Sequence, residues 1–186
     1  MIGAGGVIDE NLLISEVERL DRNGFSVTNR LIVDPNAAIL QEASIQNERD
    51  LGLGDRIGST QTGTGIASIL KMCRNPLHMN LAGTSPKIKD RFQVAPTQEF
   101  LHKRSINKKE HVIIEGTQGF GLSLHHSGNW PFCTSRDTTA AGFLSEVGLS
   151  PRIVTDIIMV VRSYPIRVGG KSGPIHEEIS WNEVYA

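Results

Sequence analysis

The stretch "HVIIEGTQGFGLSLHHSGNWPFCTSRDTTAAGF", from His111 to Phe143, gives the strongest indication of the fold class. It opens on an apolar run that ends in glycines and continues with many small hydroxyl residues. Val112, Ile113 and Ile114 are continuous enough to predict a strand that is buried on both faces. A loop that only reversed the chain would need few of the residues that follow, so their number requires a further explanation.

Helical and strand patterns alternate along the rest of the chain. Leu13, Val17 and Leu20 recur at helical spacing, with Asp9 as the predicted cap and Gly24 as the predicted stop. The other predicted elements are a strand at Leu31–Val33, helices within residues 37–52, 66–73, 97–105 and 137–151 (capped by Asp137 or Thr138), a helical turn capped by Ser150, and a helix end and strand within residues 156–170. This alternation indicates an α/β protein. We expect a mixed, mostly parallel sheet flanked by helices, in one domain of residues 1–186.

Bulk composition argues against several classes of function. Lys and Arg total 19 and Asp and Glu total 20, so the formal net charge is -1. That balance argues against a broad nucleic-acid or membrane footprint. The sequence has no apolar run of transmembrane length and no signal-peptide pattern. Cys73 and Cys133 are isolated from each other, and we expect reduced thiols in a cytoplasmic protein.

The stretch "IGSTQTGTGIA", residues 57–67, is a glycine-rich loop that leads into a predicted helix. Its glycines free the backbone, and the amides at a helix N-terminus favour a bound phosphate. The pattern differs from the phosphate loop G-x-x-x-x-G-K-[ST], because no Lys follows a glycine in it. A phosphate site and a plain helix cap are both open interpretations of this stretch.

Gln118 follows the strand predicted at residues 112–114 and stands between Gly116 and Gly119. In open α/β sheets, ligands gather beyond the carboxyl ends of the strands. A Gln at this place can donate to and accept from a base edge or a phosphate oxygen. Equally, it can satisfy the backbone of its own loop.

The stretch "PFCTSRDTT", residues 131–139, gathers hydroxyl side chains around Arg136 and Asp137. Hydroxyls and amides at a helix start form an anion site. The alternative is a capping cluster in which Arg136 and Asp137 neutralise each other, although capping explains only part of the hydroxyl set. The hydroxyl residues are Thr134, Ser135, Thr138 and Thr139.

Three other features do not indicate a site. His125 and His126 are adjacent, so on regular structure they diverge and cannot chelate one ion, and no other cluster has the spacing of metal ligands. The pair Glu177 and Glu178 is typical of a solvated tail. The basic residues within 102–111 are typical of a solvated face rather than a nucleic-acid patch.

Taken together and in this order, the motifs resemble those of the adenylosuccinate synthetase family over nearly the whole chain. The family patterns I-G-[ST]-T-x-x-G-x-G, E-G-x-Q-G, P-[FY]-x-T-S-x-x-T-T and R-V-G before a Gly-Pro turn match residues 57–65, 115–119, 131–139 and 167–174. Four ordered motifs are far more specific than any one of them. The resemblance implies the family's P-loop-related α/β fold.

The resemblance also implies roles for single residues. In the family the matching loops bind inosine monophosphate (IMP), with Thr60 and Thr134 at the phosphate and Gln118 near the nucleotide. Arg74 falls where the family has an arginine that reaches the nucleotide of the neighbouring subunit, which implies a homodimer with a shared site. The full set of nucleotide-binding residues implied in this way is Ser59, Thr60, Gly63, Gly65, Arg74, Gln118, Gly119, Thr134, Ser135, Thr138 and Arg167.

The family's reaction couples GTP, IMP and aspartate, and it implies GTP and Mg²⁺ as cofactors. The motifs that would bind them and perform catalysis, G-D-E-G-K-G-K, G-G-x-N-A-G-H, T-G-R-x-R-R and K-x-D, are not found in this sequence. We therefore expect a second chain to supply the phosphate loop, the base and the aspartate loop. The form "SRDTT" resembles variants that act on other purine nucleotides, including phage enzymes that use deoxyguanylate, so the monophosphate is IMP, GMP or dGMP.

Three functions are consistent with these observations. The first is a component of a C–N ligase that forms adenylosuccinate or a 2-amino analogue. The second is a non-catalytic sensor or regulatory module that binds a purine monophosphate. The third is a dimerising structural subunit that modulates a full-length synthetase. The retained nucleotide loops argue against the third function, and the missing motifs argue against catalysis by this chain alone.

Overall fold

The computed structural model describes residues 1–74, 77–104, 110–163, 173 and 179–185. Short strands alternate with helices over most of this range. The strands are β1 (Val7–Ile8), β2 (Ile32–Val33), β3 (Ala38–Ile39), β4 (Asn80–Leu81) and β5 (Gln93–Val94). The helices are α1 (Glu10–Arg22), α2 (Glu42–Asp50), α3 (Leu53–Ile57), α4 (Thr64–Met72), α5 (Pro86–Arg91), α6 (Thr97–His102), α7 (Ala140–Val147) and α8 (Trp181–Val184).

The strands form two small sheets. One has the order β1-β3-β4, in which β1 and β3 are parallel and β3 and β4 are antiparallel. The other pairs β2 and β5 in parallel. The expected mixed, mostly parallel arrangement flanked by helices is therefore confirmed, with the strands divided between two sheets.

Two groups of apolar side chains form the core. The larger joins the strands to α1 and α5 through buried residues such as Ile8, Val17, Val33 and Ile88. The smaller consists of Leu101, Leu144 and Leu149 and packs beneath α6 and α7. The larger core fixes the sheets, and the smaller one holds α7 beside the polar loops that precede it.

The predicted boundaries of α1 are confirmed by its capping contacts. One carboxylate oxygen of Asp9 accepts hydrogen bonds of 3.0 Å from the N–H groups of Asn11 and Leu12. These bonds satisfy donors that have no partner inside a helix. Past the helix end, Gly24 has a φ of 88°, a conformation that glycine adopts without a steric penalty.

The helix predicted within residues 37–52 begins later than expected. Ala38 and Ile39 are buried in strand β3, and α2 begins only at Glu42. The reason is pairing between distant segments, because Ala38 and Ile39 stand opposite Val7 and Ile8 in the parallel ladder. That partner cannot be read from local helical spacing.

The prediction of a strand at residues 112–114 was wrong. No strand forms there, and Ile113 is 91% exposed. Val112 and Ile114 pack against the smaller core cluster. The segment therefore buries one side only, and no other strand of the described part of the chain pairs with it.

The remaining predicted elements have mixed outcomes. The helix predicted within residues 97–105 is confirmed as α6, and Ser150 caps the helical turn Pro151–Ile153 by accepting from the N–H of Arg152. Helix α7 is capped by Thr139 rather than by Asp137 or Thr138. Of residues 156–170, those from 156 to 163 form neither helix nor strand, and the rest lie outside the described residues. Among the described helices, none is both long enough and apolar enough to cross a bilayer.

Candidate functional site

The glycine-rich loop turns into α4 at Gly63, whose φ of 80° lies in the left-handed region that favours glycine. The carboxylate of Glu48, on α2, accepts hydrogen bonds from the N–H groups of Gly63 at 2.9 Å and Gly65 at 3.1 Å. Glu48 is buried. The amides at the start of α4 therefore donate to a carboxylate. The cap of α4 is thus a side chain of another helix, α2.

The three polar stretches of the sequence, the first at residues 57–67, the second at residues 115–119 and the third at residues 131–139, lie next to one another. A Cβ added at Gly65 would stand 3.1 Å from the Cβ of Ser135, so the glycine loop touches the third stretch directly. The hydroxyl of Thr138 donates a 2.8 Å hydrogen bond to the backbone oxygen of Gly119. The N–H of Thr134 donates to the backbone oxygen of Leu122 at 2.9 Å. These contacts bring together the three stretches that the sequence singled out.

Part of the third stretch serves the start of α7. Thr139 accepts from the N–H of Gly142 at 3.0 Å, and Asp137 accepts from both the N–H and the hydroxyl of Thr139. Asp137 also accepts from the hydroxyl of Ser123 at 3.0 Å. The alternative in which Arg136 neutralises Asp137 is not found among the described residues, because the guanidinium of Arg136 lies 3.5 Å from the carboxylate of Glu146 instead. Capping thus accounts for Thr139, and loop closure accounts for Thr138.

Other polar side chains of these stretches have no hydrogen-bond partner among the residues that the structure describes. Within the described residues, the side chains of Thr60, Gln118, Thr134 and Ser135 make no hydrogen bond to another group. Thr60, Gln118 and Ser135 are exposed and Thr134 is half-buried. Gln118 has a φ of 69°, a conformation that costs a non-glycine residue about 1–2 kcal/mol. Backbone strain of this kind clusters at ligand sites.

A cleft of about 390 Å³ lies between α4 and the third stretch. Its lining includes polar or charged side chains from several elements and backbone from the turn before β1. Lys71 of α4 donates hydrogen bonds of 2.6 Å to the backbone oxygens of both Ala4 and Asn36. The lining residues are Gly5, Val7, Ala38, Ser68, Lys71, Met72, Leu124, His125, Ser135, Arg136, Asp137 and Glu146.

Charged groups of the cleft influence one another. Burial raises the pKa of Glu146 above its ordinary value, and the nearby charges of Arg136 and Lys71 oppose that rise. Burial lowers the pKa of Lys71. The hydrogen bond from the Thr139 hydroxyl, with help from Ser123, holds the pKa of Asp137 below its usual range. The cleft therefore combines cations on two walls with carboxylates that differ in proton affinity.

Of the sequence-predicted residues that the structure describes, only Ser135 lines the cleft. Ser59 precedes α4, and its hydroxyl accepts from the N–H of Gln61 at 3.1 Å. Arg74 is exposed, follows the C-terminal end of α4, and has a φ of 53°. It is separated from Gly65 by the length of the helix, about 13 Å at 1.5 Å per residue. Arg167 lies outside the described residues.

Sequence reasoning missed Glu48, Lys71 and Glu146. Each is a charged residue within a helical stretch, a pattern that normally indicates a solvated face. Their contacts join segments that are distant in sequence, 15 residues apart for Glu48 and Gly63 and 67 apart for Lys71 and Ala4. No local signal marks such partners.

The described residues contain no preformed cluster of metal-ligating side chains. No group of three or more His, Cys, Asp or Glu side chains in that part of the chain is arranged to hold a metal ion. The carboxylates of the cleft are already engaged, Asp137 by hydroxyl donors and Glu146 by Arg136. We therefore assign no metal-dependent step to these residues.

Comparison with known proteins identifies the family to which the sequence belongs. The family model for adenylosuccinate synthetase matches residues 1–95 and 81–184. The chain belongs to the adenylosuccinate synthetase family. The adenylosuccinate synthetase of Methanocaldococcus jannaschii is 36% identical over 189 residues, covering 98% of this chain and 50% of the relative. The chain thus spans about half the length of the curated relatives it matches.

Phage proteins and solved structures of the same family are also similar. The N6-succino-2-amino-2'-deoxyadenylate synthase of Vibrio phage phiVC8 is 32% identical over 190 residues, covering 99% of this chain and 54% of that protein. The cyanophage S-2L succinoaminodeoxyadenylate synthetase, solved with dGMP and dATP, has a TM-score of 0.65 at 33% identity, over 81% of this chain and 41% of that chain. The fully ligated Plasmodium falciparum adenylosuccinate synthetase has a TM-score of 0.79 at 24% identity, over 97% and 50%. The fold predicted from the motifs is confirmed.

Proposed function

We propose that the chain binds a purine nucleoside monophosphate at the joined polar stretches, as the nucleotide-binding part of a synthetase that ligates IMP to aspartate with GTP. The observation that carries this proposal is the meeting of the three stretches through Gly65 and Ser135 and through Thr138 and Gly119. The same stretches carry Thr60, Gln118, Thr134 and Ser135, whose side chains make no hydrogen bond within the described residues. They can donate to the phosphate and to the base, because hydroxyl and amide groups are suited to both.

The proposal divides the residues by role. Thr60, Thr134 and Ser135 bind phosphate oxygens, and Gln118 contacts the base. Gly63 and Gly65 shape the loop rather than donate their amides, because Glu48 accepts from both. Thr138 and Gly119 position the loops through their mutual hydrogen bond. Ser59 and Arg167 complete the proposed set, with Ser59 next to Thr60 in the loop.

Arg74 is proposed to serve a second subunit. It is exposed, and it lies at the end of α4 remote from Gly65. A guanidinium there can reach across a dimer interface to a neighbouring phosphate, for which its planar, permanently charged fork is suited. A homodimer with shared sites is therefore part of the proposal.

Catalysis is proposed to require polypeptide beyond these 186 residues. GTP and Mg²⁺ act in the family's reaction, and the motifs that would hold them are not found in this sequence. A second chain that supplies the phosphate loop, base and aspartate loop would complete the reaction. Purine nucleotide synthesis, together with the isolated cysteines, supports a cytoplasmic location.

A second function is favoured by the same missing motifs. A chain that keeps the monophosphate loops without the catalytic loops is suited to a non-catalytic sensor or regulatory module, or to a dimerising subunit. Both the ligase component and the sensor require nucleotide binding. They differ in whether a partner chain converts binding into turnover.

Calorimetric titration of the chain with IMP, GMP and dGMP tests the proposal, with inosine as the control that lacks the phosphate. We expect binding of at least one monophosphate and far weaker binding of inosine. Phosphate release in the presence of GTP, aspartate and a candidate partner chain then separates the ligase component from the sensor. If none of the three monophosphates binds, the nucleotide-binding proposal is wrong and the structural role is what is left.

A further inference from the structure

The guanidinium of Arg136 is held loosely, although the backbone of this residue is fixed. Its backbone oxygen accepts a 3.0 Å hydrogen bond from the N–H of Leu124. Within the described residues the guanidinium makes two polar contacts, at 3.4 Å with the backbone oxygen of Gly5 and at 3.5 Å with the carboxylate of Glu146. A strong charge-assisted N–H···O bond is about 2.7–2.9 Å long. Most of the donors of Arg136 are therefore available to another acceptor.

Lys71 lines the same cleft, but its ammonium is already committed. It donates 2.6 Å hydrogen bonds to the backbone oxygens of Ala4 and Asn36 and so holds the turn before β1. Arg136 has no such structural bonds from its side chain, which is 28% exposed. A cation at this depth can be reached from solvent and is screened less than one on the open surface. Of these two cations, Arg136 is therefore the one that a ligand can recruit.

The proposed phosphate site needs a positive charge of this kind. Thr60, Thr134 and Ser135, the residues proposed to bind phosphate oxygens, are all neutral. A phosphate monoester carries a charge of about −1.5 to −2 at neutral pH. Ser135 lines the same cleft as Arg136 and directly precedes it in the chain. An arginine beside that hydroxyl supplies the missing charge, and its planar fork matches the geometry of a phosphate.

We propose that Arg136 binds the phosphate of the purine monophosphate, and that its guanidinium leaves the carboxylate of Glu146 when it does so. Glu146 and the phosphate then compete for one guanidinium. Ion pairs as exposed as this one contribute little to stability, so a dianionic phosphate can displace the carboxylate. Lys71 stays near Glu146 and compensates part of its charge after the exchange. The inference rests on the proposed function and adds a charged residue to its site.

A permanent ion pair that holds α7 against the third stretch is the alternative role for Arg136 and Glu146. The two roles predict different signs for the two partners. If the pair is structural, removal of either side chain weakens monophosphate binding, because the loops lose the same contact. If the phosphate displaces Glu146, removal of the arginine weakens binding and removal of the carboxylate strengthens it.

Calorimetric titration with IMP, GMP and dGMP measures these signs. Arg136→Gln should weaken binding of the monophosphate about 10- to 100-fold. Arg136→Lys keeps the charge without the planar fork, so its affinity should lie between that of Arg136→Gln and that of the wild type. Glu146→Gln should tighten binding about 2- to 5-fold, a change that loss of folded protein cannot produce.

The pair Arg91 and Glu18 supplies matched controls. It is also an Arg–Glu ion pair, and it joins α5 to α1 with both side chains about half exposed. Arg91→Gln and Glu18→Gln should each leave the affinity for the monophosphate unchanged. Wild-type affinity in Arg136→Gln, or weaker binding in Glu146→Gln, would overturn the inference while leaving the proposed function intact.

Titration with inorganic phosphate, followed by phosphorus NMR, separates this inference from the proposed function. We expect the wild type to bind inorganic phosphate and Arg136→Gln to bind it at least about tenfold more weakly. If none of the nucleotides binds but inorganic phosphate does so through Arg136, the proposed function is wrong and Arg136 is still an anion-binding residue. If the wild type binds neither the nucleotides nor inorganic phosphate, both proposals are wrong.

Discussion

The carboxylate of Glu48 accepts a 2.9 Å hydrogen bond from the backbone N–H of Gly63 and thereby holds the glycine-rich loop against α2. The same carboxylate accepts from Gly65, so both amides at the start of α4 depend on one buried side chain. Because a buried donor without a partner is costly, the shape of the proposed phosphate loop depends on a residue of another helix.

Glu48→Ala should lower the free energy of unfolding by about 2–4 kcal/mol, because the buried amide of Gly63 and the half-buried amide of Gly65 lose a charged acceptor. Glu42→Ala removes an exposed carboxylate from the first turn of the same helix and should cost less than about 1 kcal/mol. Urea titration of both variants measures the difference. Equal stability of the two would show that the Glu48 contacts do not hold the loop.

Gln118→Gly should separate stability from binding. Glycine relieves the left-handed backbone of Gln118, so the free energy of unfolding should rise by up to about 1 kcal/mol. The loss of the amide should weaken monophosphate binding about 5- to 100-fold. Gln118→Ala is the matched control, which loses the same amide and keeps the strain. Affinity equal to that of the wild type in both variants would remove Gln118 from the proposed site.

Arg74→Gly keeps the backbone free to adopt its present φ of 53° while removing the guanidinium. If Arg74 reaches the nucleotide of a neighbouring subunit, the variant should bind monophosphate more weakly only at concentrations where the chain is dimeric. Light scattering first determines the protein concentration at which half of the chain is dimeric. Calorimetry above and below that concentration then measures the affinity for the monophosphate. A loss of affinity that is the same in monomer and dimer would place Arg74 in its own subunit's site.

Gly5→Ala should destabilise the fold by about 1–3 kcal/mol, because the added methyl would overlap the side chain of Glu146 and lie 2.9 Å from its Cα. Gly128→Ala is the matched control, since nothing lies within 4 Å of an added Cβ there. Its effect should stay within about 0.5 kcal/mol. Thermal unfolding measures the Tm of the two variants. An equal shift in Tm would mean that the turn at Gly5 can move away from α7.

Glu146→Gln should change the pH dependence of stability. Burial raises the pKa of Glu146 above its ordinary value of 4.5. Between the ordinary and the raised value the native state holds more protons than the unfolded state, so this group's contribution to stability falls as the pH rises. The variant lacks this loss of stability. The difference in free energy of unfolding, variant minus wild type, should therefore increase as the pH rises from 4.5 through the raised pKa. Denaturant titrations across that range test this, and parallel pH curves for the two proteins would contradict it.

Features set by neighbours in sequence could be predicted, and those set by distant segments could not. The cap at Asp9 and the stop at Gly24 are local, and both were predicted. Ala38 and Ile39 lie in a strand because of their pairing with Val7 and Ile8, which no helical spacing reports. For Ile113 the error is the reverse, because a strand was predicted and none forms. Ile113 is exposed although it lies in an apolar run, since no strand of the described residues pairs with this segment.

The candidate site follows the same division. The polar stretches were found from their composition, because glycines and hydroxyls close together in sequence indicate a ligand loop. The side chains that hold these loops, such as Glu48 and Lys71, belong to other helices and look like ordinary surface charges in the sequence. Their contacts become visible only in three dimensions.

The close approach of Gly5 to Glu146 and of Gly65 to Ser135 restricts how this cleft can diversify. A Cβ added at Gly5 would overlap the side chain of Glu146, and one added at Gly65 would require Glu48 or Ser135 to shift by a few tenths of an ångström. Under the proposed function, adaptation to a different nucleotide would instead use other residues that line the cleft, such as Ser68, Leu124 and His125. Mutational libraries aimed at altered selectivity should therefore randomise these residues and leave the two glycines intact.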